Sequence, residues 1–219
     1  MATTPTLISI QIGQPESREP VAGDTSERPW RTAFYKTPVE GPVRAARLAL
    51  EGDSVADTRV HGGADKAVCC YSAEHFPYWR ERLAEPGLGG AAFGENFTVS
   101  GLTEEQVRLG DRWRVGTATF EVSQPRQPCW KLARRWRRKE LALWVQQTGY
   151  TGWYLRVVAE GHVTAGDEIQ LVERPLPVWT IHRANGVMYG EADEREVAAL
   201  VAVGPLAESW KRQLGKRLR

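Results

Sequence analysis

The chain has 219 residues, enough for one well-buried core with a small appendage. Hydrophobic content of 42% and charged content of 26% are ordinary for a globular protein, and 29 basic against 27 acidic residues leave a net charge of +2. That balance excludes a global field for polyanions. Three cysteines exclude a disulfide framework or a four-thiolate iron–sulfur cluster.

In chain order, the start MATTPTLISIQIG has no charged leader region and no long apolar stretch, and no apolar run anywhere approaches the ~18 residues of a membrane span. The chain therefore reads as cytoplasmic, with reduced thiols. TLISIQIG (6–13) alternates apolar and polar residues as a half-buried strand does. KAVCCY (66–71) has the length of a buried strand, and DRWRVGTATFEVSQ (111–124) reads as two strands around a turn near Gly116. WYLRVVAEGHV (153–163) and DEIQLVER (167–174) add two more, with AGD between them. Short strands with frequent turns predict a closed or partly closed β-barrel, mainly β with flanking helices.

Two helices interrupt the strands. In 72–85, Ser72 is placed to cap, and Phe76, Trp79 and Leu83 share a face. The run 133–149 reads as one helix closed by Gly149, with Leu132 and Trp136 one turn apart facing inward and the arginines outward. Composition changes near Pro175. The division predicted is a barrel domain over 1–175 and a helical subdomain over 176–219, too small to stand without docking. Its last two helices lie in EADEREVAALVAVG and PLAESWKRQL, and Trp179 and Trp210 serve either packing or docking.

Three segments carry chemistry. In RVHGGADKA (59–67), adjacent Gly62 and Gly63 let the backbone N–H groups form an anion nest, with Arg59, His61 and Lys66 around it. In AFGENFTVSG (92–101), Gly94 allows an unusual backbone angle, and Glu95 and Asn96 can hydrogen-bond a heterocycle. In VSQPRQPCWKLARRWRRK (122–139), Pro125 and Pro128 stiffen the loop that holds Cys129. Six of the nine residues from Lys131 to Lys139 are basic; Arg126, Lys131 and Arg134 would favour an anionic sulfur if they point inward. Such a cysteine suits a nucleophile or a soft metal ligand. A zinc site from His61, Cys69 or Cys70, His75 and Cys129 lacks any supporting spacing, and a Cys–His pair could use His61, His75, His162 or His182. The arginines with Trp130 and Trp136 also match a nucleic-acid footprint, although a charge run on a helix is usually a solvated face.

Taken together, VHGGADKAVCCY, FGENFTVSGLTEEQVRLGD and EVSQPRQPCWKL resemble the MOSC family, named after the C-terminal domain of molybdenum cofactor sulfurase. The order and spacing of the blocks are similar to its bacterial stand-alone members, and the tail resembles their three-helix extension. The resemblance implies a barrel that binds molybdenum cofactor, with Cys129 as the metal's sulfur ligand. It implies His61, Gly62, Gly63, Arg59 and Lys66 around the phosphate or pterin edge, and Asn96, Ser123 and Arg126 on the ring system. Relatives include the mitochondrial amidoxime-reducing component, which implies reduction of small N-hydroxylated substrates. The chain shows no flavin, haem or iron–sulfur motif, so a separate donor protein, a flavin or iron–sulfur reductase, would supply electrons. The alternative is a non-catalytic carrier of cofactor or sulfur on Cys129.

Overall fold

A computed structural model describes residues 4–19 and 28–218. The strands are β1 (Thr6–Ile12), β2 (Glu16–Arg18), β3 (Trp30–Thr32), β4 (Thr37–Pro38), β5 (Val43–Ala46), β6 (Ala49–Leu50), β7 (Val68–Ser72) and β8 (Phe97–Ser100). They continue as β9 (Arg112–Val115), β10 (Ala118–Pro125), β11 (Trp153–Ala159), β12 (Gly161–Val163) and β13 (Ile169–Glu173). Helix α1 (Phe76–Leu83) lies between β7 and β8, and α2 (Trp130–Trp136) and α3 (Leu141–Thr148) lie between β10 and β11. Helices α4 (Ile181–Tyr189), α5 (Glu194–Val201) and α6 (Glu208–Leu214) follow the last strand.

Eight strands form one sheet in the order β13-β9-β10-β11-β7-β8-β1-β4, antiparallel except for β7 beside β8. The sheet curls back on itself: Leu7 N–H donates to Asp167 O at 2.9 Å, and Ile169 N–H to Pro5 O at 2.8 Å. These bonds tie β1 to the start of β13 and bring the barrel near closure, as the short-strand pattern predicts. The β9–β10 turn needs Gly116, at φ 55°, because a Cβ there would lie 2.3 Å from His162 O. The expected strand 153–163 is divided at Glu160: β11 joins the large sheet, while β12 pairs with β5 in a separate three-stranded sheet.

Phe76, Trp79 and Leu83 are buried on one face of α1. Ser72 caps a 3-10 turn before that helix, accepting from Glu74 N–H at 3.3 Å. The single helix expected over 133–149 is a correction. Arg137 takes a left-handed conformation (φ 52°), ends α2 and turns the chain into α3, which Gly149 closes at φ 73°. Leu132 points inward as its spacing predicts, and Trp136 is half-buried, its indole N–H donating to Ala92 O at 2.9 Å.

Helices α4 to α6 complete the barrel's core rather than build one of their own. Ile181, Ala184, Val197, Leu200, Leu206, Trp210 and Leu214 share one apolar cluster with Phe120, Val122 and Trp153 of the sheet. Trp179 and Trp210 are both buried and so pack. Each such large apolar side chain contributes roughly 1.5–3 kcal/mol, which is how a segment too short to fold alone is held. Among the described residues, no helix is long and apolar enough to cross a membrane. A second cluster, with Phe34, Tyr71, Trp79, Phe93, Leu132 and Leu141, sits under α1 to α3.

Candidate functional site

A cavity of about 280 Å³ opens where the 53–67 loop, the Gly94 turn and the start of α2 meet. The β10 strand ends at Pro125, and the two prolines carry the chain in extended conformation to Cys129 (φ −129°, ψ 169°), the residue that caps α2. His61, Gly62, Gly63, Lys66, Asn96, Arg126 and Cys129 line the cavity, so seven of the sequence candidates meet there. Gly62 and Gly63 hold φ of 73° and 83°, and a Cβ at Gly62 would press Val55 at 3.0 Å.

Arg126 dominates the electrostatics. It is 5% exposed, one guanidinium nitrogen donates to Phe93 O, and the other, Nη1, has no protein partner. Burial works against its charge, but Cys69, Tyr154, Cys129 and Glu95 around it more than offset this and raise its pKa. His61 Nδ1 is likewise buried without a partner. Burial, with Lys131, Lys66 and Arg126 nearby, pushes its imidazole down to about 4, so it is neutral at pH 7. Buried polar groups are normally satisfied, so two orphans on residues that line one cavity mark it as a place for a ligand's polar atoms.

Two sequence candidates lie outside the lining. Arg59 is exposed and forks onto Asp57 at 2.9 Å. Ser123 is fully buried on β10, its hydroxyl 2.6 Å from Asp65 O and 3.0 Å from Tyr154 O, so it straps two backbones together. Asn96 reaches the wall, but its amide is committed: Nδ2 donates to Gln11 O (3.1 Å) and Asp53 Oδ2 (2.9 Å), and Oδ1 accepts from Cys69 N–H (3.1 Å). Glu95 lines no part of the cavity. It is buried and accepts from Ala91 N–H, Phe93 N–H and the Thr98 hydroxyl, which shapes the Gly94 turn.

Arg134 does not point inward either: it donates to Arg28 O and lies over the Trp30 and Trp130 rings, 4.9 and 5.8 Å from their centroids. Arg135 lies over Tyr35 and Trp136 in the same way. Much of the arginine run is thus engaged with the protein's own aromatics.

Among the lining residues that sequence reasoning missed are Asp53, Lys36 and Tyr154. Asp53 and Lys36 form a buried ion pair, with Asp53 also accepting from Gly13 N–H at 2.8 Å. Tyr154 on β11 pairs in register with Cys69 on β7. Strand alternation turns Cys70 into the core and Cys69 to the cavity, where burial pushes its thiol up to about 11. The alternating pattern of WYLRVVA could have flagged Tyr154, since its neighbours Trp153 and Leu155 are the buried set. Nothing local announces Asp53.

The zinc reading falls: among the described residues, no group of three or more His, Cys, Asp or Glu is placed to hold a metal ion. His75 is buried against Glu104 at 2.6 Å and stacks on Tyr150, while His182 lines a separate pocket beside α4. Of the four histidines, His61 alone joins Cys129 at the cavity.

Comparison with known proteins agrees with this architecture. The MOSC domain matches residues 57–170, and the YiiM-like, 3-alpha helix domain matches residues 179–219. YflK of Bacillus subtilis is 43% identical over 212 residues, covering 96% of this chain and 93% of that protein. The crystal structure of YiiM from Geobacillus stearothermophilus superposes with a TM-score of 0.82 at 36% identity, covering 98% of this chain and 100% of that one. A protein of Gibberella moniliformis named "Reductase" is 38% identical over 153 residues, 68% of this chain but 27% of its own length. The chain belongs to the MOSC domain family and carries a YiiM-like three-helix domain behind it.

Proposed function

We propose that the chain binds molybdenum cofactor in the Cys129 cavity and reduces N-hydroxylated compounds with electrons from a separate donor protein. The observation that carries this reading is Arg126 Nη1, buried without a protein partner on a residue that lines the same cavity as Cys129. A buried, unpaired guanidinium N–H is costly unless an anion completes it.

The residues fit the cofactor in three ways. Its phosphate and dithiolene are anionic, and Arg126, Lys66 and Lys131 supply balancing charge. Neutral His61, with a free Nδ1, offers a hydrogen bond to a ring edge or phosphate oxygen. Cys129 offers the soft sulfur that a dithiolene-bound metal takes as a further ligand. When bound, the cofactor supplies a two-electron centre that accepts oxygen from an N–O bond.

The chain's own residues position that chemistry. The proline-flanked loop holds Cys129 in one geometry, and Phe34 and Val55 give the cavity apolar lining. Net turnover takes a hydroxylamine, two electrons and two protons to an amine and water. The name "Reductase" on a relative 38% identical supports this class.

Cys129→Ser and Cys129→Ala should abolish reduction of an aryl hydroxylamine, a larger loss than the roughly 10–100-fold typical of outer-shell changes, without altering the unfolding free energy by more than about 1 kcal/mol. Full activity in cofactor-loaded Cys129→Ala would contradict the reading. Bound cofactor that passes to an apo-acceptor enzyme, with no turnover under any donor, would establish the carrier role instead.

A further inference from the structure

Part of the basic run has no role in the cavity. Arg134 and Arg135 lie over aromatic rings, but Arg137, Arg138 and Lys139, in the link between α2 and α3, are exposed. Among the described residues, none of these three is paired with a carboxylate, and Arg138 donates to its neighbour's carbonyl, Arg137 O, at 3.3 Å.

At the other end of α2, Trp130 is 55% exposed. Its ring lies against that of Trp30, with centroids 5.0 Å apart, and Arg134 lies over both. Trp130 directly follows Cys129, so the two Cα atoms are about 3.8 Å apart. The seven residues of α2 rise about 10 Å, which puts the exposed indole and the three cations within one small footprint. That footprint adjoins the cavity: Cys129 and Lys131, on either side of Trp130, line it, as do Ala33 and Phe34 just beyond Trp30.

A nucleic acid and a protein are the two occupants to weigh. Proteins that hold a phosphate backbone neutralise about 6–10 charges, whereas this patch offers three unpaired cations followed by the acid Glu140, on a chain of net charge +2. A protein fits better. Exposed tryptophan and arginine are the residue types that carry protein interfaces, and electron-transfer encounters are small, below about 1,200 Å².

Resting on the reductase reading above, we propose that the patch of Trp130, Arg137, Arg138 and Lys139 is where an acidic flavoprotein docks to deliver electrons to the Cys129 cavity. Carboxylates around the flavin meet the three cations, and the indole packs one residue from the thiol. A fully reduced flavin holds both electrons and both protons that one turnover takes. It returns oxidised as the hydroxylamine becomes an amine and water.

The test drives reduction of N-phenylhydroxylamine by pterin-loaded protein with two reductants. One is an acidic flavodoxin reduced to its hydroquinone; the other is reduced methyl viologen, a small cation that gains nothing from a basic patch. In wild type, the flavodoxin-driven kcat/KM should fall at least about tenfold between about 0.02 and about 0.3 M salt, and the viologen-driven rate should not fall. Arg138→Glu combined with Lys139→Glu should lower the flavodoxin-driven kcat/KM by about 10–100-fold and flatten its salt dependence. Trp130→Ala should lower it by about tenfold. Viologen-driven turnover and pterin content should stay within about twofold of wild type in both variants. Unchanged flavodoxin-driven rates, equal losses with both reductants, or a wild type that takes electrons from viologen but none from flavodoxin would overturn the proposal. Salt-dependent binding of a mixed-sequence DNA oligonucleotide that the double variant loses would assign the patch to nucleic acid instead. If the variants do not fold or hold pterin, the wild-type salt profile decides, and a flavodoxin slope no steeper than that of viologen overturns the proposal. A pterin-loaded wild type that viologen cannot drive removes the reductase reading itself.

Discussion

The two walls of the Cys129 cavity are built on opposite terms. On one, Asp53, Lys36 and Asn96 satisfy one another: an ion pair, an Asn96–Asp53 bond and bonds to the Gly13, Gln11 and Cys69 backbones leave little for a ligand. On the other, Arg126 Nη1 and His61 Nδ1 are buried with no protein partner, and Cys129 stands at the end of a stiff loop. The lesson is that residue type does not separate scaffold from recognition in this site. Asn96 and Arg126 are both buried polar groups on one lining, and only the account of their hydrogen bonds tells which of them waits for something else.

Substitutions on the satisfied wall should act on folding, and those on the unsatisfied wall on ligand retention. The largest stability effect is expected at Asp53. Asp53→Ala leaves the buried Lys36 ammonium unpaired and strips Gly13 N–H and Asn96 Nδ2 of their acceptor. Loss of about 3–5 kcal/mol in urea unfolding is predicted. A cost under about 1 kcal/mol would show that this wall is not the scaffold described.

A smaller effect concerns His61. Its folded pKa of about 4 lies below the ordinary 6.5, so between these values the unfolded chain binds a proton that the folded one does not. Stability should therefore fall as pH drops from about 6.5 to 4, and be insensitive to this group above 7. His61→Gln should flatten that part of the Tm profile of the cofactor-free protein; an unchanged slope would contradict the assignment. Smaller still, Ser123→Ala should cost about 1 kcal/mol through its strap between Asp65 and Tyr154, and leave bound pterin untouched. Loss of pterin at unchanged stability would return Ser123 to the ligand.

Much of the fold was legible in local pattern. Alternation announces β1 and the β9–β10 hairpin, and the spacing of Val197, Leu200, Trp210 and Leu214 announces the faces that α5 and α6 bury. Two features were not. Arg137 occupies a left-handed cap that glycine or asparagine usually fills, so nothing in the run 133–149 marks a break. Whether residues 153–163 make one strand or two depends on the partner each half finds, which local alternation does not encode.

The site divides similarly. Cys129 and the Gly62–Gly63 turn are visible because stiff or permissive backbone surrounds them. Asp53, Lys36 and Tyr154 come from separate elements and meet only in the folded chain. Ser123 and Arg59 read as ligand groups because a sequence shows that a side chain can hydrogen-bond, but not that Asp65 O, Tyr154 O or Asp57 already holds it.

The most direct test of the account is the molybdenum and pterin content of wild type and Arg126→Met, both expressed with molybdate and purified alike. Near-stoichiometric cofactor in wild type and a loss of at least about tenfold in the variant, at similar stability, is the predicted result. Equal cofactor in the two proteins, or none in wild type, would contradict the claim that the unpartnered guanidinium of Arg126 is there to hold an anionic cofactor.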